Sequence, residues 1–336
     1  MKVSIVILNW NGKELLRECM PSVVKAALAT NETYEIIVVD NGSVDGSVDF
    51  LKSKYPKVRI VPLRENVGFV EGSNAGARAA NGDIIVFANN DIEMKSDSIK
   101  YLIPHFSDNN VFGVSPKLMK FDKKTIQAEF IGLEFVLGTV VQTQPNTGMS
   151  DKNQFKNPVK TFFASGGASA MDRKKFLQLG GFDEAYSPFY FEEHDLSYRA
   201  YKRGWTCIYE PRSIFYHKHR ATLGKAFTKE QLQIQELKGR FVFTWSNFSD
   251  PVILLKHLAF LPIVFARSAF VSQYRSGRFL DVRAFFAAIS MWGDILRKRA
   301  DNAKHSKLSD REVIELINSN HANELSPVKV TKFFKK

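Results

Sequence analysis

The sequence predicts an α/β fold, a mostly parallel, doubly wound sheet followed by a helical, basic extension, and three observations predict it. Up to about Asp91, short apolar runs alternate with helical stretches, the rhythm of a parallel sheet with helices on both faces. Polar residues crowd the carboxyl ends of those runs, where open α/β sheets bind their ligands. The formal net charge of +12 belongs to the last third alone: residues 1–211 hold 25 basic and 25 acidic residues, whereas residues 212–336 hold 22 and 10. A chain of 336 residues, 44% of them hydrophobic, can bury a large core. The change of character sets an expected boundary between a domain over 1–225 and an extension over 226–336.

Taken in order, KVSIVIL is almost unbroken apolar sequence, as a strand covered on both faces should be. Asn9 and Asn11 end it, so it reads as a buried strand and turn rather than a leader peptide. A helix is expected from Lys13 to Ala29, then the strand YEIIVVD, a helix from Ser47 to Lys54, the strand VRIVPL, a small-residue helix from Gly72 to Ala80, and the strand DIIVFANND. Between Tyr101 and about Lys160 the periodicity weakens and no element order follows. A helix from Arg173 to Leu179, the turn GGFDEAYSPF, a helix starting near Glu193 and the strand SIFY complete the first part. Neither GxGxxG nor GxxxxGK[ST] occurs, which removes the main support for dinucleotide and P-loop classes. Cys19 and Cys207 are far apart and suggest neither a disulfide framework nor a metal pair, which suits a reducing cytoplasm.

Five groups of residues carry chemistry, and each has a plainer reading. Asp40 closes a strand and can hydrogen-bond a base or ribose, or simply open the Asn41-Gly42 turn with Ser43 capping the next helix. Asn89 and Asp91 share one strand face and offer oxygen ligands to Mg²⁺ or Mn²⁺, or serve as turn formers. In ENVGFVEGSNAGARAANGD, Asn66, Gly68 and Asn74 stand out among small residues that allow close approach of a ligand, or of the helix to the sheet. Phe189-Tyr190-Phe191 precede Glu192, Glu193, His194 and Asp195. An aromatic shelf there can desolvate a carboxyl and raise its pKa to that of a general base. Alternatively, first-turn acids complement the helix dipole and Asp195 pairs with Arg199 at i,i+4. His217 and His219 follow SIFY as metal ligands or as structural histidines.

In order, the segments VSIVILNWNG, VVDNGSVDGS, ENVGFVEGSNAGARAANGDIIVFANND, GGFDEAYSPFYFEEHDLSYRAYKRGW and YHKHRAT resemble glycosyltransferase family 2, in particular its rhamnosyltransferase-like branch in bacterial surface polysaccharide synthesis. The resemblance covers about residues 1–225. It implies a GT-A fold, an inverting transfer from a nucleoside diphosphate sugar, and a Mn²⁺ or Mg²⁺ cofactor. By the resemblance Asn9, Asn11, Asp40, Asn66, Asn74, Asn89 and Asn90 lie on the nucleotide-sugar side. Asn89-Asn90-Asp91 stands for the family's DxD, Asp91 and His217 hold the metal, and Gly166, Gly167 and Asp183 lie toward the acceptor. The family's ED pair falls on Glu192-Glu193, with Glu193 as the base and Asp195 in reserve. Two departures stand in the sequence: Asn89 replaces the first Asp of DxD, and Glu193 is longer than the usual Asp by one methylene.

The basic extension, over 252–299, is rich in Leu and aromatics but is interrupted by Lys256, Arg267, Arg275 and Arg278, too often for the roughly 20 apolar residues a spanning helix needs. Pro262 is expected to kink its first helix. Such helices either lie on an anionic membrane surface or pack on the catalytic domain or a second copy, leaving homo-oligomerisation open. No nucleic-acid module is present. The expected donor is dTDP-rhamnose or a UDP-sugar, the acceptor a glycan or polyprenyl-linked hydroxyl, and the place the cytoplasmic face of the cell membrane. Two other readings keep the fold: a catalytically silent scaffold of a glycan assembly complex, and a nucleotidyltransferase. The latter lacks a glycine- and lysine-rich triphosphate loop.

Overall fold

The computed structural model describes residues 1–128, 131–136, 138–143, 156–218, 227–270 and 279–319. His219, Arg275 and Arg278 lie outside the described residues. The chain divides into two compact units: 1–130, 153–200 and 205–219 form the first, and 131–152, 201–204 and 220–336 the second.

The first unit opens with β1 (Lys2–Asn9), α1 (Lys13–Leu28), β2 (Thr33–Asn41), α2 (Ser47–Lys54), β3 (Arg59–Leu63), α3 (Gly68–Ala79) and β4 (Ile84–Asn89). These strands stand in the order β3-β2-β1-β4, all parallel. The alternation of β1 explains its two helical covers. Val3, Ile5 and Ile7 pack with Leu16, Met20 and Val23 of α1, while Val6 and Leu8 meet α3. There glycine is required: a Cβ on Gly76 would lie 2.3 Å from Val6, and one on Gly72 would lie 2.5 Å from Leu8. The small residues of α3 therefore let the helix lie directly on the sheet.

The sheet continues through β5 (Ile92–Met94), β6 (Val111–Lys120), β7 (Ile126–Ala128), β10 (Val159–Lys160), β11 (Ala168–Asp172) and β12 (Thr206–His217). Its ten strands follow the path β10-β12-β6-β11-β4-β1-β2-β3, with β5 on β12 and β7 on β6. Six of the ten run one way; β11, β10, β5 and β7 oppose them. The short α4 (Ser98–Leu102) and α5 (Arg173–Gln178) flank the sheet in sequence, and α6 (Glu192–Lys202) precedes β12. Cys19 and Cys207 are buried thiols, and burial pushes both up to about 12, so neither is a ready nucleophile.

The second unit holds the hairpin β8 (Gly132–Val136) and β9 (Thr139–Thr143), then α7 (Lys229–Asn247), α8 (Pro251–Phe270), α9 (Leu280–Ile289), α10 (Trp292–His305) and α11 (Asp310–Asn318). Capping boxes start α7, from Thr228 and Gln231, and α11, from Ser309 and Glu312, satisfying N–H groups that a helix end otherwise leaves open. Trp245 packs edge-on against Phe285 and Trp292. The α8 helix runs through Pro262 as one element. No described helix is long and apolar enough to cross a membrane.

Candidate active site at the carboxyl ends of the strands

The parallel registers bring Asn9 opposite Asp40 and Leu8 opposite Asn89, so the polar ends of β1, β2 and β4 form one rim. Asn9 is fully buried. Its Nδ2 donates to Asp40 Oδ1 at 3.3 Å and Ser43 Oγ at 3.2 Å, and its Oδ1 accepts from Asn90 Nδ2 at 2.8 Å. The second Asp40 oxygen accepts the Ser43 N–H at 3.1 Å. Asn11, at φ 47°, donates its N–H to Ser43 Oγ at 2.9 Å and accepts the Val44 N–H at 2.8 Å. Beside them Asn66 Oδ1 accepts from Asn41 Nδ2 at 2.9 Å and from the Gly68 N–H at 2.9 Å. The Gly42 turn carries φ 74°, and a Cβ there would come within 2.7 Å of the Glu65 main chain, so only glycine fits.

Asp91 and His217 are neighbours because β12 pairs antiparallel with β5, with His217 opposite Ile92. His217 Nε2 lies 3.4 Å from Asp91 Oδ2, and His217 Nδ1 is 3.0 Å from the Gln127 side-chain amide. Asp91 is 7% exposed, and its Oδ1 is buried without a hydrogen-bond partner among the described residues. An orphaned carboxylate oxygen beside an imidazole is costly unless something satisfies it, and a divalent cation does so. The donor set fits Mn²⁺ or Mg²⁺. Among the described residues no cluster of three or more His, Cys, Asp or Glu forms, so such an ion needs further oxygens from ligand or water.

The acids ahead of β12 are delivered by strained backbone. Tyr190 and Phe191 sit at φ 75° and 76°, which costs a bulky residue of order 1–3 kcal/mol, and α6 begins immediately after them. Phe191 stacks on His194 with centroids 4.6 Å apart, and Phe163 lies 4.2 Å from the same ring. Glu192 is 5% exposed with Oε2 unpartnered among the described residues. Burial, and then the charge of Glu193, push its carboxyl well above the usual range. Glu193 is partly buried and accepts the Gly166 N–H at 2.6 Å. Burial raises it to about 7, against the lowering effect of the Gly166 N–H and the Ser165 side chain. A Cβ on Gly166 would approach Phe69 and Glu193 to 3.2 and 3.3 Å, and one on Gly167 would lie 2.6 Å from the Asn89 amide. The Gly167 carbonyl accepts the Asn89 N–H at 2.9 Å. One short loop therefore ties Glu193 to the end of β4.

Asn74, Asp183 and Asp195, like Asn9 and Asp40, bond to the protein itself. Asn74 donates to the Phe182 carbonyl at 2.8 Å and accepts the Phe182 N–H at 2.9 Å. Asp183 caps the turn at 184–186 through the Ala185 N–H. Asp195 accepts from Arg199 Nε at 2.7 Å and Tyr186 OH at 3.2 Å, the i,i+4 pair of the plainer reading. The sequence reading passed over Gln127 and Asp45, and took Ser43 only as a helix cap, whereas its Oγ bonds Asn9 and the Asn11 N–H. Asp45 caps two helices at once, accepting the N–H groups of Lys13 and Ser47 at 2.8 and 3.0 Å. Ser43 and Asp45 lie inside VVDNGSVDGS, where Ser and Asp after a strand signal capping. Gln127 sits where the periodicity is weakest and carries no signal.

The chain is similar to known proteins in sequence and in fold. The profile of Glycosyl transferase family 2 matches residues 4–180. The uncharacterized glycosyltransferase YfnE of Bacillus subtilis is 24% identical over 301 residues, 77% of this chain and 74% of that one. N-acetylglucosaminyl-diphospho-decaprenol L-rhamnosyltransferase of Mycobacterium tuberculosis is 27% identical over 217 residues, 58% of this chain and 70% of that one. The solved structure of GalNAc-T7 with UDP, GalNAc and Mn²⁺ superposes at a TM-score of 0.64 with 16% identity, over 96% of this chain and 58% of that one, a likeness of fold. With its GT-A architecture, its polar strand ends and a family profile over more than half its length, the chain belongs to glycosyltransferase family 2.

Proposed function

We propose that the chain transfers a sugar from a nucleoside diphosphate sugar to a hydroxyl of a glycan or polyprenyl-linked acceptor, with inversion at the anomeric carbon. The observation that carries this reading is Glu193: a carboxyl raised to about 7, fixed by Gly166 and tied through Gly167 to Asn89. A base poised near neutrality matches the work of general-base catalysis. Glu193 takes the acceptor hydroxyl proton as the oxygen forms its bond to the anomeric carbon. The bond to the diphosphate oxygen breaks on the opposite side, and the nucleoside diphosphate leaves with the electron pair. A single displacement inverts the centre. Asp40, braced by Asn9 and Ser43, takes the nucleoside, with Asn11, Asn66, Asn89 and Asn90 around it. Asp91 and His217 would hold Mn²⁺ or Mg²⁺, which would supply neutralisation of the diphosphate charge. Gly166 and Gly167 leave room on the acceptor side, where any side chain meets Phe69, Glu193 or Asn89. Asn74 bonds Phe182 and Asp195 accepts the Tyr186 hydroxyl, so both hold the 179–186 turn.

The donor in this reading is dTDP-rhamnose, with a UDP-sugar next. The L-rhamnosyltransferase relative supports the sugar, and the decaprenol in its name supports a lipid-linked acceptor at the cytoplasmic face of the membrane. The test is Glu193→Gln. Sugar transfer should fall by ~10²–10⁴-fold, while nucleoside diphosphate still raises the melting temperature as in the parent. A variant with full transfer activity would remove Glu193 from the mechanism.

A further inference from the structure

Among the described residues thirteen large apolar side chains are exposed, and nine of them lie between Val252 and Leu296. On α8 they are not scattered. At about 100° per residue, Val252, Leu255, Leu258 and Ile263 fall on one outward arc, 45%, 69%, 59% and 58% exposed. Lys256 is the one charged residue on that arc among exposed positions of α8 up to Ala266. The outer face of an ordinary surface helix is polar. This helix cannot roll to hide the arc, because His257 on the opposite side is pinned. Its Nε2 accepts the Trp245 indole N–H at 2.9 Å, and its Nδ1 meets the Gly138 carbonyl at 2.6 Å.

We propose that this arc seats the protein on an anionic lipid surface, an inference that rests on the membrane-borne acceptor of the preceding reading. Leu255, Leu258 and Ile263 enter the boundary between headgroups and acyl chains, and Lys256 meets the phosphates. Charge selects this occupant over a second copy. Residues 212–336 carry 22 basic and 10 acidic residues, so a second copy would set like charge against like, whereas anionic lipid complements it. With no described helix able to cross a bilayer, the face lies in the interface.

The experiment is flotation of the full chain with vesicles of phosphatidylcholine alone or mixed with phosphatidylglycerol. The parent should bind the mixed vesicles at least about tenfold more tightly than the neutral ones, and less at high salt. The double variant Leu255→Glu/Leu258→Glu should lose at least about tenfold on mixed vesicles, whereas Leu177→Glu, an exposed apolar control in the first unit, should bind as the parent does. No parent binding, equal binding by the double variant, or a parent dimer that the double variant splits into monomers would each overturn the proposal, the last by assigning the arc to a second copy. Nucleoside diphosphate stabilisation without lipid should be unchanged in the double variant. Lipid binding that persists in a protein unable to transfer sugar would leave this surface standing and bring down the acceptor reading.

Discussion

At the scale of single residues, the two carboxyls at the head of α6 make opposite demands on stability and chemistry. Glu193 holds its proton up to about pH 7 in the folded protein, against 4.5 for an unperturbed glutamate. Between those values the native state binds a proton that the unfolded chain has released, so this group makes stability fall as pH rises through the window. Its catalytic form grows over the same span. Transfer should therefore climb with pH through about 7, as the profile of kcat/KM will show. Glu193→Gln, which carries no charge, should melt above the parent at about pH 8 and approach it at about pH 5. If the variant melted lower at both, the carboxylate would be a structural asset rather than a strained base. Asp91 is a separate case: its Oδ1 has no hydrogen-bond partner among the described residues, and in the proposed reading a cation supplies one. Asp91→Ala should abolish the part of nucleoside diphosphate stabilisation that requires Mn²⁺ and leave the metal-free part. A Mn²⁺ response equal to the parent's would sink the assignment.

At the scale of elements, the 179–186 turn is gripped from two helices. Asn74 of α3 clasps Phe182. Arg199 of α6 donates to the carbonyls of Leu179 and Gly181 while paired with Asp195, side chains 11% and 2% exposed. Removing one member of a buried pair leaves the other charge unpaired, so Arg199→Met should cost about 3–5 kcal/mol in urea unfolding; a loss below about 1 kcal/mol would show the pair to be dispensable. This grip marks the limit of what the sequence makes legible. The helix over Ser47–Lys54, the four parallel strands and the Asp195–Arg199 pair follow from local period and spacing. The link from Glu193 to Gly166 spans 27 residues and leaves no local trace. From Tyr101 to Lys160 the pattern fails for a physical reason. β6 pairs with β11 and β12, far along the chain, β10 is two residues long, and the β8–β9 hairpin belongs to the second unit. β6 is buried on both faces over its first six residues, so nothing alternates along it, and β8, β9 and β10 are too short to set a period. α3 starts at Gly68 rather than Gly72: its first turn, Gly68-Phe69-Val70-Glu71, opens on a glycine that reads as loop.

At the scale of the whole molecule, every residue assigned to donor, metal or base falls in the first unit, and the aromatic centre around Trp245 falls in the second. A ligand stabilises only the part it binds: at about a hundred times its dissociation constant the gain is about 2.7 kcal/mol. The four tryptophans divide evenly, with Trp10 and Trp205 in the first unit and Trp245 and Trp292 in the second. Variants that keep one tryptophan each thus report the units separately. Nucleoside diphosphate with Mn²⁺ should move the melting of the Trp205 reporter upward and leave the Trp292 reporter within about a degree, because a chain of two compact units need not unfold in one step. Phosphatidylglycerol vesicles should do the reverse if the α8 arc is the lipid face. A single transition that both reporters follow, shifted equally by the nucleotide, would mean that the units unfold as one. The division of labour between a sugar-transferring unit and a surface-seeking one would then have no thermodynamic basis.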